Sequence, residues 1–526
     1  MGGSHSHPVE LLDQICLHVE SPNDLLSVAL TCKQLSRIAI PGHIEFRVLR
    51  CDFQRDSLWK ALLAQPSLAA KIHTLDIISE QGYDLDNGPV IVPRSLLSAE
   101  GGEVKSPPDV HDDEKSFALL GDVIRRMPRL RRFHWLHHST RPVNGVFSAL
   151  NATCGDLEDV EVLNFDDSYR TSISTVDLGN SPLWKLTNLT HFSFTEHHID
   201  TEADVHVKYT DAMADMLINH CPHLEDLQIF QNHHYHSDLP EESIQKLFKD
   251  GHWPNLKRLT IEGIALYEND QRFFASHPKL EKLCIRDGYN CKFVFSHLPN
   301  LESLDIDWIL QSKEMPADVA AHLQYLAVGV PDESWLKNED PDFQNVLRSA
   351  PNLKCLVLHH AAYAIDHLTS IFECIPNVER LALQWASHMG YFENAYEEPQ
   401  AFCDALALLP KLTHLTYINP SLWSTEESES DDGDKEAEES EEEEADDFHR
   451  SLKALSSSAP KLSFVEFGSG DIDVDERDWM AIERDDNGAY LSYSEVGSDQ
   501  KNGLDVDLWG GCYLGAAKGL LDKKEW

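Results

Sequence analysis

Pro254-Asn255-Leu256-Lys257-Arg258-Leu259-Thr260-Ile261 and Pro278-Lys279-Leu280-Glu281-Lys282-Leu283-Cys284-Ile285 are two copies of one phrase. The phrase reads Pro, any residue, Leu, two residues, Leu, one residue, then an aliphatic or aromatic residue. A third copy runs from Pro299 through Leu301 and Leu304 to Ile306. The same apolar triad recurs at Leu224/Leu227/Ile229, Leu353/Leu356/Leu358, Val378/Leu381/Leu383 and Leu412/Leu415/Tyr417. Looser copies are Leu130/Phe133/Trp135, Leu157/Val160/Val162, Leu189/Phe192/Phe194 and Leu323/Leu326/Val328. The outermost are Ile72/Leu75/Ile77 and Leu462/Val465/Phe467.

Copies spaced roughly every 21–35 residues, apart from two long gaps, indicate a leucine-rich-repeat-like solenoid. Within each copy the last two apolar positions alternate with a polar one, as a short strand with one buried face requires. A lone copy cannot bury that face, whereas stacked copies build one continuous core. Helical patterns precede many phrases, at Phe117–Arg126, Asp211–Asn219, Glu242–Lys249, Phe343–Arg348, Asp366–Cys374 and Ala401–Leu409. Each carries an apolar stripe such as Met213/Met216/Leu217. The repeats near Leu280, Leu301 and Leu323 are too short for a full helix and predict a single turn instead. The fold class is therefore α/β, a curved stack with parallel strands on its inner face.

Residues 7–40 obey a different rule. Pro8 and Glu10 suit the first turn of a helix, and Leu12, Ile15, Cys16 and Val19 then form a stripe, with Leu11 beside it. Ser21-Pro22-Asn23-Asp24 starts a second helix bearing Leu25, Leu26, Val28, Ala29 and Leu30. A third carries Leu35, Ile38 and Ala39 and ends at Pro41-Gly42. Three small helices make a thin core, so a partner is expected to help stabilise them.

This segment resembles the F-box. The match runs through Pro8-x-Glu10-Leu11-Leu12-x-x-Ile15, then Asp24-Leu25-Leu26-Ser27-x-Ala29-Leu30-Thr31-Cys32-Lys33-x-Leu35, then Ile38-Ala39. His7 stands where the family usually has Leu, and Leu35 where it often has Trp. With the irregular repeats, the chain resembles fungal F-box proteins that carry a leucine-rich-repeat-like domain. The resemblance implies a substrate adaptor of an SCF-type ubiquitin ligase. The helices would dock on a Skp-family adaptor, which bridges to a cullin and a RING subunit, while the repeats hold a protein substrate. Carried over residue by residue, the docking candidates are Pro8, Leu11, Leu12, Ile15, Leu25, Leu26 and Leu30. Some of these must instead pack the helices together, and the sequence does not sort them. The alternative is a repeat scaffold outside any ligase, with these helices as its N-terminal cap.

The expected organisation is an F-box at 1–45, the solenoid at 46–484 and a cap hairpin with a flexible tail at 485–526. Two disordered insertions are expected at about 79–114, rich in Asp, Gly, Pro and Ser, and at 424–447. The second is an acidic tract whose like charges repel. Within it Ser428 and Ser440 each precede an acidic residue by three places, a context that suits an acidophilic kinase, although a plain solvated spacer also explains the tract. Trp479-Met480-Ala481-Ile482, the turn Asp485-Asp486-Asn487-Gly488 and Tyr490-Leu491-Ser492-Tyr493 read as the capping hairpin.

The formal net charge of −45 argues against partners such as nucleic acid or an anionic membrane. Eleven Cys without a CxxC pair fit a reducing compartment, cytoplasmic or nuclear, better than a disulfide framework. Met1-Gly2-Gly3-Ser4-His5-Ser6 matches a short myristoylation pattern, but no basic patch follows, so no membrane anchoring is expected. No nucleotide-binding loop, Gly-x-Ser-x-Gly elbow or HExxH is present. The expectation is binding without chemistry, with no cofactor.

Alternation assigns the residues flanking the apolar positions to the concave side. There Arg258 and Lys282 occupy equivalent phrase positions, with Arg286 further along its strand. With Tyr325, Arg380 and Gln384 they are the candidate substrate-binding residues, suited to an acidic or phosphorylated peptide. The competing reading is mutual neutralisation across strands by Asp305, Asp307 and Glu262. His pairs recur just past several phrases, at 137–138, 197–198, 233–234 and 359–360. No fixed short ligand spacing accompanies them, and the sequence assigns no metal.

Overall fold

The computed structural model describes residues 8–19, 22–79, 90–93, 96, 113–137, 144–166, 180–198, 209–233, 242–262, 271–286, 294–306, 315–329, 341–359, 365–384, 399–418, 440–467, 478–485 and 487–496. They fall in two compact units, one built on Met1–His277 and the other on Pro278–Cys512.

In the first unit seven strands pair in chain order, all parallel: β1 Val48–Cys51, β2 Thr74–Ile78, β3 Arg132–Leu136, β4 Asp159–Asp166, β5 His191–His198, β6 Asp226–His233 and β7 Arg258–Glu262. The outer edge of β1 is closed by an antiparallel bridge in which Arg50 and Ile91 exchange both backbone hydrogen bonds at 2.9 Å. The second unit repeats the plan with β8 Lys282–Arg286, β9 Ser303–Ile306, β10 Tyr325–Gly329, β11 Cys355–His359, β12 Arg380–Gln384, β13 His414–Ile418 and β14 Phe464–Phe467. It ends in an antiparallel hairpin, β15 Asp478–Arg484 and β16 Tyr490–Glu495. The hairpin turn is built by Asp485, whose carboxylate accepts from Asn487 N and Ala489 N at 2.9 and 2.8 Å. Gly488, at φ +80°, takes the left-handed position that a side chain disfavours.

The phrase explains this architecture. Its apolar triads, for example Leu256/Leu259/Ile261 and Leu301/Leu304/Ile306, are buried in full. Each such Leu contributes roughly 1.5–3 kcal/mol by leaving water. The position after Pro, which tolerates any residue in the phrase, has a role in three copies where it is Asn. Asn300, Asn352 and Asn377 donate side-chain hydrogen bonds of 2.8–3.1 Å to carbonyls of the preceding turn, at Pro278, Ala321 and Pro351. The predicted helices appear at Asp113–Ile124, Tyr209–His220, Glu242–Asp250, Pro341–Arg348, Ile365–Phe372 and Pro399–Leu406. Of the three repeats expected to have only a short turn, those of Leu301 and Leu323 make Phe295–His297 and Ala317–Ala320, whereas that of Leu280 carries a short α-helix, Gln271–Ser276.

Two expectations need correction. Pro41-Gly42 does not end the third helix; the chain continues through a π-helical turn, Ile40–Ile44, and a further turn, Glu45–Arg47, into β1. The N-terminal helices fall within the first compact unit. The acidic tract is not all irregular. Residues 424–439 lie outside the described residues, but a helix begins at Ser440 and runs to Ser458. Leu452 and Leu455 bury its far half. Of the insertion at 79–114, residues 79, 90–93, 96 and 113–114 are described, Leu96 is buried, and the others lie outside the described residues. The tail beyond Val496 is outside them too.

Gly251 follows the helix Glu242–Asp250 and donates to Leu247 O at 2.9 Å. A Cβ there would sit 2.3 Å from Leu247 O and 2.6 Å from the Trp253 ring, whereas at Gly155 it would meet nothing within 4 Å. Gly251→Ala is expected to cost about 1–3 kcal/mol in chemical denaturation, and Gly155→Ala to change little.

Candidate functional site

The N-terminal segment forms three helices: α1 Val9–His18, α2 Pro22–Thr31 and α3 Lys33–Ala39. Their core is Cys16, Leu25, Ala29 and Ala39, flanked by Val19, Val28, Leu35, Ile38 and Ile44. Cys32 caps α3, its Sγ accepting from Leu35 N at 3.5 Å. The structure sorts the apolar stripe that the sequence leaves unsorted. Leu12 and Leu25 are buried. Leu11 and Ile15, one turn apart on α1, are 57% and 54% exposed, and Leu26 and Leu30, one turn apart on α2, are 44% and 77% exposed. Val9 and Pro8 are exposed with them. Leaving this much aliphatic surface in water, on a module whose inner core is small, is a mark of an interaction face.

The opposite side of the module is fastened to the first strands. Asp13 accepts from His43 Nε2 at 2.8 Å and lies 3.9 Å from Lys71 Nζ. Arg47 donates to Val19 O, near the end of α1, and its Nη1 lies 2.7 Å from Nε2 and 3.0 Å from Nδ1 of His73, one of which accepts. Burial and the adjoining Arg47 push the His73 pKa down to about 3, so the ring is a neutral acceptor. The helices therefore leave the solenoid as a fixed projection.

On the inner face of the first unit, strand register sets polar residues in two rows. One is Thr74, Arg132, Asp159, His191, Asp226 and Arg258; the next is Arg50, Asp76, His134, Glu161, Ser193, Gln228 and Thr260. Arg50, Asp76, His134 and Glu161 are buried. His134 lies between two carboxylates, Nδ1 at 2.9 Å from Asp76 and Nε2 at 3.4 Å from Asp159. Burial opposes charge on this ring, but Asp159 and Asp76 outweigh it and raise its pKa to about 10. Arg132 approaches Asp159 at 3.8 Å, and Arg258 binds Asp226 at 2.7 Å.

The second unit's inner face has different chemistry. Tyr325, Ala327, Cys355, Val357 and Ala382 form a buried apolar cluster across β10, β11 and β12. Arg286 is buried against Asp305 in a two-pronged pair, Nε–Oδ1 3.2 Å and Nη2–Oδ2 2.9 Å.

Of the substrate-binding candidates, Arg258 is partly exposed but engaged by Asp226, and Arg286 is spent on the buried pair with Asp305, one of the neutralising carboxylates expected. Tyr325 is buried in the apolar cluster. Lys282 and Arg380 are half-buried in one register row of the second unit, separated by Ser303, Tyr325 and Cys355. Gln384 ends β12, and its side chain is outside those described, as is Asp307. Of the three cations proposed from the phrase, Arg258 and Arg286 are thus each engaged by a carboxylate of their own unit. The apolar cluster had a signal in the sequence: Leu326-Ala327-Val328, Leu356-Val357-Leu358 and Leu381-Ala382-Leu383 are unbroken apolar runs, the pattern of strands buried on both faces.

Among the described residues no group of three or more His, Cys, Asp or Glu side chains is placed to hold a metal ion. The described cysteines are free thiols, and burial pushes Cys154 and Cys221 up to about 12 and about 11, which keeps them protonated. Among the described residues no helix is long and apolar enough to cross a membrane.

No family model and no curated protein matches the chain. Solved structures with some overlap include an internalin from Listeria monocytogenes, at 15% identity and TM-score 0.33 over 70% of this chain and 96% of that one. Rad7, from the yeast Rad7–Elc1 complex, overlaps at 12% identity and TM-score 0.30 over 78% and 81%. TLR13, from a complex with ssRNA13, overlaps at 17% and 0.30 over 58% of this chain, which spans only 38% of the TLR13 chain. These overlaps are low, and the repeat fold rests on the strand ladder itself.

Two predictions follow from the buried charges. A His134 pKa raised above its unfolded value of about 6.5 gives stability that is complete below that value and lost as pH rises through about 10. His134→Gln should be less stable than wild type at pH 6, with the gap in denaturation midpoint closing toward pH 10; a constant gap would refute the imidazolium. Asp305→Ala strands a buried guanidinium and should cost about 3–5 kcal/mol, most of it regained in Arg286→Met/Asp305→Leu.

Proposed function

We propose that the protein is a substrate-recognition adaptor of an SCF-type E3 ubiquitin ligase, acting by binding and not by catalysis. The observation that carries this reading is the exposed aliphatic face of Leu11, Ile15, Leu26 and Leu30 on a helical module otherwise matching the F-box pattern. In this mechanism the face is buried in a Skp-family adaptor, which links it to cullin and RING subunits. The clamp of Arg47 and Asp13 holds the module rigidly on the first strands, so a substrate bound to the repeats is presented in a fixed direction. The repeat surface binds a protein partner, in the cytoplasm or nucleus.

A second reading treats the helices only as a cap on the solenoid outside any ligase. The same clamp, and the burial of Leu12 and Leu25, favour that role for the inner side of the module. It leaves the exposed side without a purpose.

Co-purification with a Skp-family adaptor distinguishes the two. Leu11→Asp/Ile15→Asp alters exposed positions, so it should abolish binding while circular dichroism stays unchanged. A folded wild type that does not bind the adaptor sinks the ligase reading and leaves the cap.

A further inference from the structure

In the second unit the residue just before each of five successive strands is exposed: Glu281 before β8, Glu302 before β9, Gln324 before β10, Lys354 before β11 and Glu379 before β12. Strand pairing sets these five in one row, in that order. Their backbone is fixed, since the carbonyl oxygens of Glu302 and Gln324, for example, each accept from two N–H groups of the next repeat at 2.8–3.2 Å. The row lines an open groove of about 670 Å³, together with Asn300, Asn352, Asn377 and Lys411.

Two observations set this groove apart from an ordinary solvated edge. In the first unit the equivalent residues before β6 and β7 neutralise each other, Lys257 Nζ lying 2.7 Å from Glu225 Oε2. Lys354 and Glu379 are neighbours in the same way before β11 and β12. Yet among the described residues neither makes an ion pair, and nor does Glu281 or Glu302. Secondly, Asn300 and Asn352 give their Nδ2 to the carbonyls of Pro278 and Ala321, at 2.9 and 2.8 Å. That fixes each amide and leaves its Oδ1 as an acceptor with no partner among the described residues. Charges left unneutralised beside fixed acceptors in a groove suit a ligand of complementary charge.

We propose that this groove binds a polyproline II segment of a partner protein, with a basic side chain at Glu302 and, three residues away, an acidic one at Lys354. The row is polar in that order: carboxylates at Glu281 and Glu302, the neutral amide of Gln324, then the Lys354 cation. Neighbouring strands lie about 4.8 Å apart, so Glu302 and Lys354, two strands apart, are separated by about 9.6 Å along the row, as are Asn300 and Asn352. One turn of polyproline II rises about 9.3 Å over three residues and returns the side chain to the same face. A β-strand, whose faces alternate, offers same-face residues about 6.8 or 13.6 Å apart and fits neither. Polyproline II has no internal hydrogen bonds, so its free N–H groups are available to the Asn oxygens. The proposal deepens the reading that the repeats bind a protein partner and rests on that part of it, not on the ligase.

The test titrates the full chain into two fluorescein-labelled peptides, Pro-Arg-Pro-Pro-Glu-Pro and Pro-Glu-Pro-Pro-Arg-Pro, and reads anisotropy. Both orders are used because the groove sets the charges and not the chain direction. Saturable binding of at least one is expected, weakening as salt is added. Glu302→Lys and Lys354→Glu, both at exposed positions, should each weaken it about tenfold with circular dichroism unchanged. Glu302→Lys should then prefer a peptide with Glu in place of Arg, a reversal that a merely structural role would not produce. No saturation of either peptide by folded wild type up to roughly 1 mM, or affinity unchanged in both variants, overturns the proposal. So does self-association of the wild type that Glu302→Lys abolishes, since the occupant is then a second copy of the chain. Co-purification of Glu302→Lys with the Skp-family adaptor, run alongside, should match wild type. Failure of the peptides with the adaptor still bound therefore counts against the groove alone, and the converse against the ligase alone.

Discussion

One carbonyl per repeat holds the ladder in register. The oxygen of His73 accepts from both Arg131 N and Arg132 N, that of Arg131 from Glu158 N and Asp159 N, and that of Glu158 from Thr190 N and His191 N. Thr190 and Glu225 continue the series in the first unit, and Glu281, Glu302, Gln324, Lys354, Glu379 and Thr413 form it in the second. In each case the two lone pairs of the residue before one strand take the N–H groups of the residue before the next strand and of that strand's first residue. Both donors are fixed by a single acceptor, so the strand enters the sheet at a set position. A slip of one residue would turn every Leu of the phrase outward. The buried triads and the polar rows all inherit their alignment from this clasp.

The clasp also explains what the sequence revealed. It recurs at a fixed place in the phrase, two residues before the second Leu, so reading the phrase amounted to reading the strands. Features without a phrase were harder. β1 has none, since Val48 follows a helical turn instead of Pro-x-Leu, and the π-helical passage through Pro41-Gly42 contradicts the ordinary punctuation of those residues. The helix at Ser440–Ser458 hid behind charge repulsion because its anchoring Leu452 and Leu455 lie beyond the acidic run. At the N-terminal helices, composition named the apolar residues but not which way each one faces. Leu11 and Leu12 are adjacent and chemically identical, yet the angle between successive helix positions exposes one and buries the other.

The two inner faces show how one backbone plan hosts unlike chemistry. In the first unit the position between the second and third apolar residues holds Asp76, His134 and Glu161, and in the second it holds Ala327, Val357 and Ala382. The core-facing residues are the same in kind, so stability constrains one parity and leaves the other free. For a chain with a net charge of −45, pairing Arg258 with Asp226 and Arg286 with Asp305 spends cations locally instead of gathering them into one attractive field.

The Arg50–Ile91 bridge and the β15–β16 hairpin each turn the strand direction around at an outer edge. At each of these edges backbone groups that the strands would offer to another chain are paired instead with a segment of the same unit, the kind of cover that limits edge-to-edge association.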